Sequence, residues 1–182
     1  MDTVLPKFAA ALIAISLIIF EPCYAQGNIA LQMVVREARL DSLAALSAPR
    51  SLFPRAAAED TDFVRASACI AAAKDSSFTE ILSDSAGEIM SSQELELAHS
   101  FYKSPLGRKY GDLMVWQARA DLGLNQTMRP PSFSKEEEYA VAQFSGTTAG
   151  SKLTVRSLLT IPQTATRLFE LVAQIVNDCK MR

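Results

Sequence analysis

Histidine and tryptophan each occur once in these 182 residues, and glycine only seven times. A single histidine, His99, cannot supply the paired imidazoles found in many zinc sites. No Cys-x-x-Cys is present to make a zinc ribbon or a redox pair. With so few glycines there is no phosphate loop, no dinucleotide fingerprint and no G-x-S-x-G nucleophile elbow. Charge of one sign is also missing. The 18 basic and 20 acidic side chains nearly cancel and are scattered, so there is no electrostatic case for nucleic acid. No stretch alternates polar and apolar residues well enough to be a strand. Neither a cofactor nor a metal is expected.

The one long apolar run lies at the start. Lys7 precedes an apolar stretch from Phe8 to Phe20, interrupted only by Ser16, and Pro22 and Cys23-Tyr24-Ala25 come next, before Gln26. That is the build of a cleavable secretory signal. The run is about 20 Å long as a helix, short of the ~30 Å hydrocarbon core. Residues 1–25 are therefore expected to be removed, sending a single domain, 26–182, to the periplasm or the exterior. Glu21-Pro22 fits poorly before a lipidated cysteine, and no later run approaches transmembrane length, so the mature form is not expected to span a membrane.

Two cysteines remain after such a cut. Cys69 shares a helical stripe with Ala66, Ile70 and Ala73, and Cys179 one with Leu168, Val172 and Ile175. Both stripes should face the core, and in an oxidising compartment the two thiols are expected to pair.

Nearly everything else reads as helix. The expected elements are Ile29 to Ser47, ending before Ala48-Pro49; Asp60 or Thr61 to about Lys74; Phe78 to about Met90; and Thr164 to Asp178. Ser51 to Arg55 and Met128 to Ser132 read as connectors, and Asp75-Ser76-Ser77 as a break. The fold class is all-α, a compact bundle of six to eight short helices.

Within it one pattern occurs twice, at about 90–114 and 133–157. Ser91 to Tyr110 laid over Ser134 to Leu153 gives five identities in twenty positions, where ordinary composition would give roughly one. Ser91 with Glu94, and Ser134 with Glu137, have the spacing of capping boxes, in which serine and glutamate each satisfy the other's backbone amide. Met90 and Leu95 stand where a hydrophobic staple would. Phe101 and Phe144 then fall on the apolar faces. Ser104 and Thr147 are placed to cap a second helix, so each copy is a helix-turn-helix unit. Gly107 and Gly150 fall inside that second helix, where glycine costs about 1 kcal/mol relative to alanine. Close approach of the aromatic-bearing helix of the same copy would explain them. An anion site beside Arg108 and Lys109 is the alternative, although Ser151 stands in place of Arg108 in the second copy.

The run SSQELELAHSFYKSPLGRKYGDLM, Ser91 to Met114, resembles the bacterial secreted proteins grouped as domain of unknown function 2059. A capped helix carries Phe101-Tyr102, with Ser104-Pro105, Gly107 and Lys109 after it. The resemblance implies an exported all-helical protein and brings no activity with it. The second copy departs from it at Ser145 and Thr148, so a role tied to the aromatic pair belongs to the first copy.

Chemistry is sparse. His99 occupies the repeat position of Ala142 and should be a surface or cap-side residue; Glu136-Glu137-Glu138 reads as a solvated first turn favoured by the helix dipole. The expected function is non-catalytic binding of an envelope protein or an apolar ligand in a groove between helices, to which Tyr102, Tyr110, Met114 and Trp116 contribute. The competing expectation is a hydrolase-like enzyme using Glu94, Glu96 and Asp112.

Overall fold

The structure, a computed structural model, describes residues 28–52, 60–73, 76–124 and 129–180. The expected leader, Phe53 to Arg55, Lys74, Asp75 and Met128 lie outside them. Among the described residues there are ten helices, eight of them seven residues or longer, and no strand. They are α1 (28–37), α2 (Leu40–Leu52), α3 (Thr61–Ala72), α4 (Ser77–Ile89), α5 (Ser92–Lys103), α6 (Pro105–Asp121), α7 (Lys135–Ser145), α8 (Thr148–Lys152), α9 (Val155–Leu158) and α10 (Pro162–Lys180). The all-α bundle expected from the periodicity is what forms.

α2 is the hub, packing against α3, α4, α6 and α10, while α10 also lies on α3 and α4. The core between them is mainly aliphatic, with Phe63, Phe78 and the hydrogen-bonded Ser85 and Thr164 hydroxyls buried in it as well. Val35, Ile70, Leu82, Leu158 and Val172 are each no more than 1% exposed, and a fully buried side chain of this kind contributes about 1.5–3 kcal/mol. Leu168, Val172 and Val176 recur every four residues along α10 and seat it on this core. A disulfide joins Cys69 of α3 to Cys179 of α10, with Cα atoms 6.0 Å apart, in the normal range for a bridge. Among the described residues, no helix is long and apolar enough to cross a membrane.

Two helix boundaries differ from expectation by more than two residues. The segment read as one helix from Ile29 to Ser47 breaks at Arg39, which takes a left-handed conformation with φ of 59°. That conformation costs about 1–2 kcal/mol for a residue with a side chain. Tertiary contacts offset it: Arg39 Nε donates to Asp112 Oδ1 at 3.0 Å, and Gly111 of α6 leaves room for the turn. A Cβ at Gly111 would stand 3.1 Å from the Glu37 carbonyl oxygen and from Arg39 Cγ. The second difference is that α2 runs through Pro49 to Leu52 rather than stopping before Ala48. Ala48 and Pro49 are both buried, so their packing outweighs the amide that proline cannot donate.

The other boundaries obey local chemistry. Asp60 caps α3, its carboxylate accepting from the Asp62 and Phe63 amides at 3.0 and 3.2 Å. α4 fills 77–89, within a residue of its expected limits, and α10 extends two residues beyond expectation at each end.

Candidate functional site

Both capping boxes form. The Ser91 amide donates to Glu94 Oε2 at 2.7 Å while the Glu94 amide donates to Ser91 Oγ at 3.3 Å; Ser134 and Glu137 give 2.9 and 3.3 Å for the same two bonds. Met90 and Leu95 are partly buried against the core, as a staple requires. Each unit then turns through a hydroxyl. Ser104 Oγ accepts from the Gly107 amide at 3.0 Å and donates to the Phe101 carbonyl at 2.6 Å, and Thr147 Oγ1 makes the same pair of bonds with Gly150 and Phe144 at the same distances.

That turn accounts for the two glycines. It brings the Phe101 carbonyl oxygen onto the Cα of Gly107, where any Cβ would collide with it, and the Phe144 carbonyl onto Gly150 in the same way. The close approach is to backbone, which cannot yield as a side-chain tip can. Arg108, the residue that suggested an anion site, instead donates from Nη1 to the Lys103 carbonyl at 2.6 Å.

Past the turn the two units diverge. α6 runs 17 residues, while α8 ends after 5 and gives way to α9.

The two units are joined crosswise. Lys152, in the second copy, donates to both Glu94 oxygens at 2.8 Å and to the Ile89 carbonyl at the end of α4 at 2.7 Å. Lys109, the same position in the first copy, donates to Glu137 at 2.6 Å and lies 4.6 Å from the centre of the Phe133 ring. Between these contacts Phe101 stacks on Phe144. Residue i of one copy thus meets j of the other, and j meets i, the signature of a self-complementary two-fold contact. The Lys152 ammonium, then the Ser91 amide, hold the Glu94 carboxyl below its ordinary range. Lys109 and then the Ser134 amide do the same for Glu137, and Glu136 is lowered by its own amide and by the Ser134 hydroxyl.

Of the residues expected to line a groove, Tyr102 is 4% exposed and packs edge-on against Phe101 and Phe144. Burial, and after it the neighbouring Tyr110, pushes its hydroxyl pKa well up. Tyr110 packs edge-on against Phe101, and Met114 and Trp116 are half-buried. Of the carboxylates considered for catalysis, Glu94 serves the capping box and Lys152, Asp112 is tied to Arg39, and Glu96 is exposed. His99 is half-buried.

A cleft lies elsewhere, with a volume of about 830 Å³ between α2, α3 and the C-terminal half of α6, closed by the start of α4. Its walls are mainly small or apolar, with Ala45, Leu46, Phe63, Val64, Ala68 and Leu122 prominent. Tyr102, Tyr110, Met114 and Trp116 do not line it. Phe63 is held in place by the Arg50 guanidinium, 4.4 Å from its ring centre. Three charged side chains reach the cleft, Arg36, Asp41 and Arg119. Sequence reasoning missed this cleft, because its lining comes from five helices and carries no spaced motif.

The chain matches no protein-family model, no curated protein and no solved structure.

Proposed function

We propose that this chain is a non-catalytic binding module, exported to the periplasm or the cell exterior, that takes an apolar ligand into the cleft between α2, α3 and α6. The cleft carries the reading: about 830 Å³ lies within the range of small-molecule sites, and mainly apolar walls with a few polar groups are what such sites have. A bound small molecule is favoured over a docked protein because the space is concave and ligand-sized. The disulfide supports an oxidising address, and the leader and the resemblance to domain of unknown function 2059 agree with export. Two of the three carboxylates of the enzyme reading, Glu94 and Asp112, are engaged in ion pairs, Glu94 in a helix cap as well, and Glu96 stands exposed.

Native mass spectrometry of the exported protein tests this. Ala68 is an exposed residue on the cleft wall, so Ala68→Trp should fill the space without disturbing the core. The wild type should retain a small apolar molecule and the variant should lose it; equal retention, or none by either after exposure to an envelope lipid extract, rejects the cleft as the site.

A further inference from the structure

The walls of the cleft run lengthwise. The Arg50 guanidinium over the Phe63 ring sets the end of α2 against the start of α3. At the other end α4 begins soon after α3 stops, and its Thr79 hydroxyl donates to Asp41 Oδ2 at 3.2 Å, next to the start of α2. α2 and α3 are therefore antiparallel. α2 lines the space from Asp41 to Pro49 and α3 from Phe63 to Ala71, each stretch about 12 Å along its helix. α6 supplies a third wall from Val115 to Leu122, about 10 Å long.

The polar groups on these walls are already engaged. Asp41 Oδ1 accepts from the Ser42 amide at 2.7 Å, Oδ2 accepts from Thr79, and the Ser67 hydroxyl donates to the Phe63 carbonyl at 2.7 Å. Arg119 interacts within the protein, and Arg36 and Ser76 are exposed to water. Among the described lining residues, then, no buried group is set aside to receive a polar head, and burying one without a partner is costly.

We infer that the ligand is a single-chain amphiphile, whose hydrocarbon chain lies along the cleft between α2, α3 and α6 and whose head group stays in water. This rests on the cleft being a ligand site. The chain runs past Ala45, Leu46, Val64, Ala68 and Leu122, and each methylene taken from water adds to the affinity. Recognition is by length, and the head contributes little.

The test is displacement of the neutral fluorophore N-phenylnaphthylamine from the mature, disulfide-intact protein by straight-chain alcohols from hexanol to tetradecanol. Affinity should rise about tenfold for every two methylenes, then level off near decanol, where the extended chain outgrows walls of about 12 Å. Decanoate and decylamine, of opposite charge, should bind within about threefold of decanol. Ala71 is exposed on the wall near the end of α3, so Ala71→Phe spares the core and should bring the levelling to a shorter chain. Affinity that ignores chain length, climbs without levelling, levels at the same chain in Ala71→Phe, or favours one charged head tenfold overturns the chain reading and leaves the cleft as an apolar site. A fluorophore that fails to bind, or that none of these compounds displaces and Ala68→Trp does not affect, overturns both readings.

Discussion

The Phe101 and Phe144 rings lie face to face, with centroids 3.8 Å apart and planes within 7° of parallel. Each is the same residue of its own repeat, so the stack marks where the two units meet. Phe144 is 6% exposed and Phe101 half-buried. Phe144→Ala should therefore cost about 3–5 kcal/mol, and Phe101→Ala about 3. In urea denaturation a double-mutant cycle should return a coupling of about 0.5–1.5 kcal/mol for the ring pair. Full stability in Phe101→Ala would remove that ring from the scaffold.

The crossed ion pairs make the fold sensitive to acid. Glu94 and Glu137 have folded-state pKa values below the ordinary 4.5. As the pH is lowered the unfolded chain thus takes up these protons first, and stability falls as the pH falls. Their contribution is present in full above about pH 4.5 and disappears as the pH drops through the lowered values. Thermal unfolding scanned from neutral pH into acid should show that slope, and Lys109→Met with Lys152→Met should make it shallower. An unchanged slope in the double variant would assign the acid sensitivity to other groups.

Glycine replacements separate backbone contact from side-chain contact. Gly107→Ala and Gly150→Ala each force a Cβ onto a carbonyl oxygen, and each should destabilise by about 1–3 kcal/mol despite the ~1 kcal/mol helix preference for alanine. At Gly87 the nearest atom is the tip of Leu31, 3.2 Å away. It can shift, so Gly87→Ala should be neutral or mildly stabilising in the same melts.

Replacing Cys69 and Cys179 together by serine should lower stability by about 4–5 kcal/mol in the chain-entropy model, since the bond closes a loop of 110 residues. Alkylation of unreduced exported protein should label neither cysteine. Labelling of both would show two free thiols.

What could be read ahead of the structure was what local rules decide. Ser91 and Glu94 lie within one turn, so their spacing alone predicts the box, and the stripes bearing Cys69 and Cys179 need only helical periodicity. The partners of Lys109 and Lys152 lay in the other copy. The repeat had already matched these lysines with each other and Glu94 with Glu137, yet pairing them crosswise requires the two-fold packing of the units. The break at Arg39 was hidden for a similar reason: it is supported by Gly111 and Asp112, more than seventy residues away in sequence. The cleft was less legible still, being built from ordinary residues such as Ala45 and Ala68 that differ from other helix residues only in what stands opposite them.

The link between Cys69 and Cys179 also makes the span between them a covalent ring, and both repeats lie inside it. The exposed Arg129-Pro130 stretch belongs to the same ring. A protease that cuts there opens the ring without releasing either half. The nicked protein should migrate as one species until a reductant is added, and then as two fragments.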